Sequence, residues 1–293
     1  MLGECHAHIK LSYVEDSEIP GLIADGSAAK FIRECFQNYK NYGIDYVRDG
    51  GDKWGVSEMA RDIAPEFGIE YRTPIFAIHK KGLYGDILGK CFETIEDYKV
   101  LVDEVEERNG DFIKIMASGI LNYNKLGDVT PGPVGENELF SEMVYIAHER
   151  GFRVMTHANG VSQIKMMLEA GADTIEHGFY MDDECRELFL EKDAIWIPTI
   201  VTLDMFKEFA DPVHNELDKI MEQQKDDIRK ALKMGINIGP GSDSSLLASN
   251  HGKGLAGELK LLKEACEGDD ELLKKLDETL EKSFKRIRET FRR

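Results

Sequence analysis

The sequence predicts an α/β chain folded as a (β/α)8 TIM barrel, a single domain with an extra C-terminal helix. Three observations carry this reading. Eight short β-branched runs alternate with eight amphipathic helical runs, and glycine closes several of the helices, as in Glu149-Arg150-Gly151 and Glu169-Ala170-Gly171. No GxGxxG follows the first run, so an open dinucleotide-binding sheet loses its main signature.

Taken in order, the strands are expected at residues 4–8, 44–48, 70–78, 112–116, 153–157, 173–177, 194–199 and 237–239, the last running on toward Asp243. Between them, apolar residues recur at spacings of three and four, most clearly over 138–150, 161–170 and 182–191. A Gly- and Pro-rich loop at 118–137 follows the fourth strand, a natural lid on the active face of a barrel. Residues 1–268 are read as the barrel and 269–293 as an amphipathic helix packed on its exterior. Leu272, Leu276, Leu280, Phe284, Ile287 and Phe291 form the apolar stripe of that helix.

Composition narrows the function classes. With 42% hydrophobic and 31% charged residues, the chain can bury a large core and is not a disordered segment. A net charge of −18 repels phosphate backbones and anionic lipid, so neither nucleic acid nor membrane is expected as a partner; the expected partner is a small-molecule substrate. A homo-oligomer is compatible with the sequence. Five scattered cysteines without a CxxC argue against a disulfide framework, and the N-terminus lacks the basic-then-apolar pattern of a signal peptide. A reducing, cytoplasmic setting is therefore expected.

The chemistry concentrates at strand ends. His6 and His8 share one face of the first strand because side chains alternate with period two, while Cys5 and Ala7 are expected to face the helices. Lys114 sits within Phe112-Ile113-Lys114-Ile115-Met116, where a charged ammonium is costly unless neutralised or paired. His157 and His177 close successive strands, and Asp243 closes the eighth. All six fall at the C-terminal strand ends, where barrel enzymes do their chemistry, so they are read as a metal site.

In combination these motifs resemble the amidohydrolase superfamily of metal-dependent barrels, whose ligand order is HxH, Lys, His, His, Asp. The stretches Val47-Arg48-Asp49-Gly50-Gly51, Ile113-Lys114-Ile115-Met116-Ala117-Ser118-Gly119 and Thr156-His157-Ala158-Asn159-Gly160 carry the likeness. It continues through Ala170-Gly171-Ala172-Asp173-Thr174-Ile175-Glu176-His177-Gly178, Ile197-Pro198-Thr199, Gly241-Ser242-Asp243-Ser244 and His251-Gly252. They are most similar to the branch holding metallo-prolidase (Xaa-Pro dipeptidase) and imidazolonepropionase-like enzymes. That branch usually carries a small β-sandwich made from both chain ends. Because the first ligand is already residue 6, a barrel without the sandwich is expected.

The resemblance implies a binuclear metal-dependent hydrolase. His6, His8 and Asp243 would hold one divalent ion, and His157 and His177 the other. Lys114 would bridge them as a CO2-derived carbamate. Imidazole and carboxylate donors suit Zn2+. The ions would share a water and lower its pKa, and Asp243 would carry its proton to the leaving amine. The expected reaction is cleavage of an amide bond in a dipeptide or N-acyl amino acid. The alternative on the same site is a lactone or phosphotriester, and a non-catalytic barrel is less favoured because all six ligands are present. Mononuclear deamination is disfavoured because Gly160 stands where such relatives place Glu. His79, Tyr180 and His251 are the candidate substrate contacts. Arg48 with Asp49 could be an ion pair or a substrate clamp.

Overall fold

A computed structural model describes residues 3–11, 14–123, 125–130, 136–207, 214–245 and 248–292 of the chain. Strands β1 (Glu4–Ala7), β2 (Tyr46–Asp49) and β3 (Glu70–Arg72) form a parallel three-stranded sheet. Next come β4 (Ala77–Lys80), β5 (Gly89–Phe92), β6 (Ile113–Met116) and a small antiparallel hairpin, β7 (Ile120–Leu121) with β8 (Val129–Thr130). They are followed by β9 (Val154–Ala158), β10 (Thr174–His177), β11 (Ile195–Ile197) and β12 (Asn237–Ile238). Apart from the hairpin, these strands make a second, seven-stranded parallel sheet in the order β12-β11-β10-β9-β6-β4-β5.

The regular ladders thus fall into two parallel sheets rather than one uninterrupted eight-stranded ring. The strand expected over 70–78 breaks between β3 and β4 for a local reason. Pro74 has no N–H to give to a ladder, Thr73 Oγ1 instead accepts from the Ile75 N–H at 3.0 Å, and Ile75 adopts a positive φ of 71°. At the other seam, Cys5 N–H donates to Pro240 O at 3.0 Å, His8 N–H to Ser244 O at 2.8 Å and Asp243 N–H to His6 O at 2.6 Å. These bonds seat the continuation of β12 beside β1. Buried Glu4 reinforces the seam by accepting from Ser242 N–H at 2.9 Å and from Ser242 Oγ at 2.5 Å.

The helices are α1 (Ile19–Ala24), α2 (Ser27–Asn41), α3 (Val56–Ile63), α4 (Ile95–Glu107), α5 (Asn137–Glu149) and α6 (Val161–Ala170). After them come α7 (Asp183–Lys192), α8 (Val201–Lys207), α9 (His214–Met234), α10 (Lys253–Ala265) and α11 (Asp270–Glu289). Their ends follow from sequence. Thr94 and Asp97 form a reciprocal capping box on α4, Asp182 caps α7 by accepting from Cys185 N–H, and Gly171 ends α6 at φ 92°. None of the described helices is long and apolar enough to cross a membrane.

Ala7 packs with Val47, Ala60 and Phe36, and Cys5 with Tyr46, Ile195 and Ile197 of the strands and Phe284 and Ile287 of α11. A register shift between Glu4 and Ala7 interrupts the strict alternation of β1. One expectation is corrected locally. The C-terminal helix stops at Glu289, short of Phe291, whose ring lies 3.8 Å from the Arg72 guanidinium.

Leu272, Leu276 and Leu280 of α11 join the main apolar core, while Phe284 and Ile287 pack against Tyr46 and Ile195. Those two residues open their strands, so α11 covers the end of the sheets remote from the C-terminal strand ends. Leu276 is completely buried. Leu276→Ala is expected to destabilise the fold by about 2–5 kcal/mol in a denaturant titration, through lost transfer energy and a cavity. Lys274→Ala on the exposed face should change it by less than about 0.5 kcal/mol.

Candidate metal centre

Five strands deliver the six residues to one place. Their C-terminal ends line a cavity of about 430 Å3 that includes His6, His8, Lys114, His157, His177 and Asp243. One ligand atom from each of His6, His8 and Asp243 lies within 4.8 Å of the others, and Asp243 Oδ1 is 3.5 Å from Nε2 of both histidines. The His157 and His177 ring centroids are 4.5 Å apart, and His177 is 5.2 Å from His6. Parallel register explains the convergence: Met116 pairs with His157, and His177 with Ala158, so adjacent strands end at one level.

The packing of the His8 ring requires a glycine. A Cβ on Gly50 would fall 2.0 Å from His8 Cε1, so the Asp49-Gly50-Gly51 turn is cut to receive the imidazole. Asp49 holds that turn by accepting from Ile9 N–H at 2.7 Å and from Gly51 N–H at 2.6 Å. His177, Tyr180, Thr199 and Asp243 all take positive φ, between 48° and 70°, and none is glycine. Such backbone is strained for residues of this kind and clusters characteristically at functional sites.

Burial sets the charge states. It drives His6, His8 and His177 well below the usual imidazole range and brings His157 down to about 3, with the neighbouring Lys114 adding to the effect in each. Lys114, 1% exposed, is brought down to about 8 by burial, against the pull of Glu176 and Asp243. Its Nζ has no hydrogen-bond partner among the described residues, nor has Nδ1 of His8. Burial lifts Asp243 to about 7, with Lys114 and Lys10 pulling the other way. Neutral imidazoles, a buried amine without a hydrogen-bond partner among the described residues and a carboxyl group are a donor set of the kind that holds cations. On that chemistry the residues fit a divalent metal.

A further layer positions the candidate ligands. Glu176 Oε2 lies 2.8 Å from His6 Nδ1, and Arg48 holds the other Glu176 oxygen at 2.9 Å while donating to Cys5 O at 2.6 Å. Thr174 Oγ1 also donates to Glu176. Arg48 therefore pairs with Glu176 and not with Asp49. His177 Nδ1 meets Thr199 Oγ1 at 2.7 Å, and His157 Nε2 meets Gly119 O at 2.9 Å. Carboxylate and carbonyl partners of this kind fix ring orientation and raise imidazole basicity. Glu176 had a sequence signal, a carboxylate one residue before a ligand in a buried strand, but its pairing with His6 depends on the packing of β10 against β1.

The three candidate substrate contacts lie elsewhere. His79 is buried beside Gly85, with Nδ1 3.1 Å from Lys80 O. Tyr180 packs in the main core. His251 is fully buried, with Nδ1 2.9 Å from the Tyr39 hydroxyl. None of the three lines the cavity, whereas Lys10, Tyr84, Tyr123 and Phe206 do. The 118–137 loop contributes Ile120, Leu121 and Tyr123 to the cavity wall; its residues 124 and 131–135 lie outside the described set.

A family model described as the amidohydrolase family matches residues 5–278. An uncharacterized protein of Mycobacterium tuberculosis is 30% identical over 218 residues, 72% of this chain and 52% of its own length. Ochratoxinase of Aspergillus niger is 23% identical over 278 residues, 83% of this chain and 57% of its own. The chain thus spans about half the length of the curated relatives it matches. Among solved structures, a Xaa-Pro dipeptidase with methionine bound in its active site superposes with a TM-score of 0.75 at 24% identity, covering 98% of this chain and 75% of that one. The A. niger ochratoxinase crystal structure gives 0.72 at 22%, covering 90% and 66%. These two structural likenesses speak to the fold, and the family match runs from β1 into α11 across every strand that carries one of the six residues. The chain belongs to the amidohydrolase family.

Proposed function

We propose that this chain is a binuclear metal-dependent hydrolase of amide bonds, built on a (β/α)8 barrel closed through the β1 seam. The observation that carries the reading is the convergence of four desolvated imidazoles, an unpartnered buried lysine and Asp243 on one cavity. His6, His8 and Asp243 would hold one divalent ion and His157 and His177 the second; imidazole and carboxylate donors suit zinc. Lys114 would serve both as a carbamate. Burial lowers its pKa to about 8, so the neutral fraction of the amine is larger than for a free lysine, and that nitrogen would add to CO2, losing one proton and gaining a two-oxygen anion. Bound divalent ions supply Lewis acidity and lower the pKa of water.

The chain's own residues supply the rest. Asp243, open to the cavity (side chain 26% exposed), would take a proton from the attacking water. The water oxygen adds to the amide carbon, the C–N bond breaks, and Asp243 returns the proton to the departing nitrogen. Glu176, held by Arg48, keeps the His6 ring in place through the cycle. The apolar walls around Met116, Leu121 and Phe179 exclude bulk water from the reacting bond.

The reading is tested with the metal-loaded protein on amide, lactone and phosphotriester libraries. Close to two metal equivalents per chain are expected, with amide turnover lost on chelation and regained with added divalent ion. Full turnover in metal-free protein would overturn the reading, and selective lactone or phosphotriester turnover would move the substrate class. Asp243→Asn should lower kcat by about 10²–10⁴-fold in protein verified to carry metal. Lys114→Ala should lose metal and activity together, and short carboxylic acids should restore part of both by supplying the missing two-oxygen bridge. A Lys114→Ala variant with both metals and full turnover would reduce the lysine to a structural role.

A further inference from the structure

The chain leaves β10 through an uncommon turn. His177 closes the strand at φ 70° and Gly178 follows at φ 62°, so two successive residues take left-handed backbone and the first of them carries a side chain. The His177 carbonyl at this turn is buried, where a peptide oxygen without a donor is costly. Two side chains serve it: Trp196 Nε1–H donates at 2.9 Å and Gln224 Nε2–H at 2.9 Å. Trp196 belongs to β11 and is completely buried; Gln224 belongs to α9 and is 1% exposed. Gly178 admits the indole, since a Cβ there would fall 2.5 Å from Trp196 Nε1.

The position of Gln224 in the helix makes this bond more than incidental. Leu217, Ile220, Met221 and Ile228 are buried at helical spacing along α9, and Gln224 stands in the middle of that apolar stripe. A carboxamide there needs a partner, and the His177 carbonyl is the one it meets. Swinging the peptide that joins His177 to Gly178 would break both donor bonds at once, so the turn is held from β11 and α9 together. The direction of the His177 side chain follows from that backbone, and Thr199 Oγ1, 2.7 Å from Nδ1, sets the rotation of the ring. Nε2 is the nitrogen left for the cavity. His6 and His157 are steadied through their rings, by Glu176 and the Gly119 carbonyl, whereas His177 is steadied through its ring and its main chain.

Resting on the two-metal reading above, we infer that Gln224 and Trp196 are positioning residues for His177, holding its left-handed turn so that the imidazole meets an ion without reorganising. Among the described residues neither side chain lines the cavity, and α9 contributes nothing to its wall. The affinity for one of the two ions is thereby set from a helix outside the metal centre, through a single main-chain oxygen.

The test is a zinc titration of apoprotein against a chelating dye, for wild type, Gln224→Met, Trp196→Phe and Leu232→Ala. Gln224→Met fills the same space without a donor, and Leu232→Ala weakens the packing of α9 two turns away without touching His177. Gln224→Met should lower the affinity for one zinc ion by about 10–100-fold and leave the other within about twofold, and Trp196→Phe should act on the same ion. Leu232→Ala should lower stability in a denaturant titration and leave both ions within about twofold. The indole N–H NMR resonance of Trp196, assigned by its loss in Trp196→Phe, should shift when zinc fills the wild-type site and should already be displaced in metal-free Gln224→Met. Equal weakening of both ions, an indole resonance that zinc leaves unmoved, or the same selective loss in Leu232→Ala would overturn the inference. Two ions held undiminished by Gln224→Met and Trp196→Phe would overturn it alone, whereas a single ion in wild type and variants alike would overturn it together with the two-metal reading.

Discussion

The site is governed by the cost of burying positive charge. Four imidazoles and an ammonium cannot all be protonated within one desolvated cavity, and burial resolves the conflict by holding the histidines neutral and pulling Lys114 down to about 8. Neutral imidazole is the ligand form of histidine, and a neutral amine is the form that reacts with CO2. The same desolvation that would destabilise an idle cluster thus prepares it for cations, and binding them would return the stability that burial removes. Asp243, lifted to about 7 on the same floor, is the acidic half of that arrangement.

The scaffold serves this constraint at several depths. The β1 seam places Asp243 against His6 through a backbone hydrogen bond, and Glu4 and Ser242 lock the segment from behind. Arg48 spans from β2 to β10 and delivers Glu176 to His6, so the His6 ring is oriented by residues from two other strands. Positive φ at His177, Thr199 and Asp243 is tolerated because strand pairing and these side-chain bonds over-determine the positions. At the far end, α11 buries Phe284 and Ile287 on Tyr46 and Ile195, leaving the ligand end open and the opposite end covered.

Much of this was legible in sequence because its causes are local. Strand and helix alternation, glycine helix stops and the placement of His6, His8, Lys114, His157, His177 and Asp243 at strand ends all follow from short-range pattern, and the structure brings those six together. Features set by long-range packing were not legible. The break at Pro74 is visible as a residue, but its splitting of the third strand depends on Thr73 capturing the Ile75 N–H. Strand β5 lies in a Gly- and Lys-containing stretch, Gly89–Phe92, without the β-branched signature. His79 and His251 read as cavity residues because both follow strands, yet Gly85 packs over one and Tyr39 binds the other.

The central claim is that Lys114 is a modified metal ligand and not a buried ammonium. The most direct measurement is 13C NMR of apoprotein reconstituted with zinc and 13C-bicarbonate, compared with Lys114→Ala treated identically. A single protein-bound carbamate resonance that needs both metal and Lys114, with zinc close to two equivalents per chain, is the expected result. Two equivalents of zinc bound tightly with no carbamate signal would contradict the account.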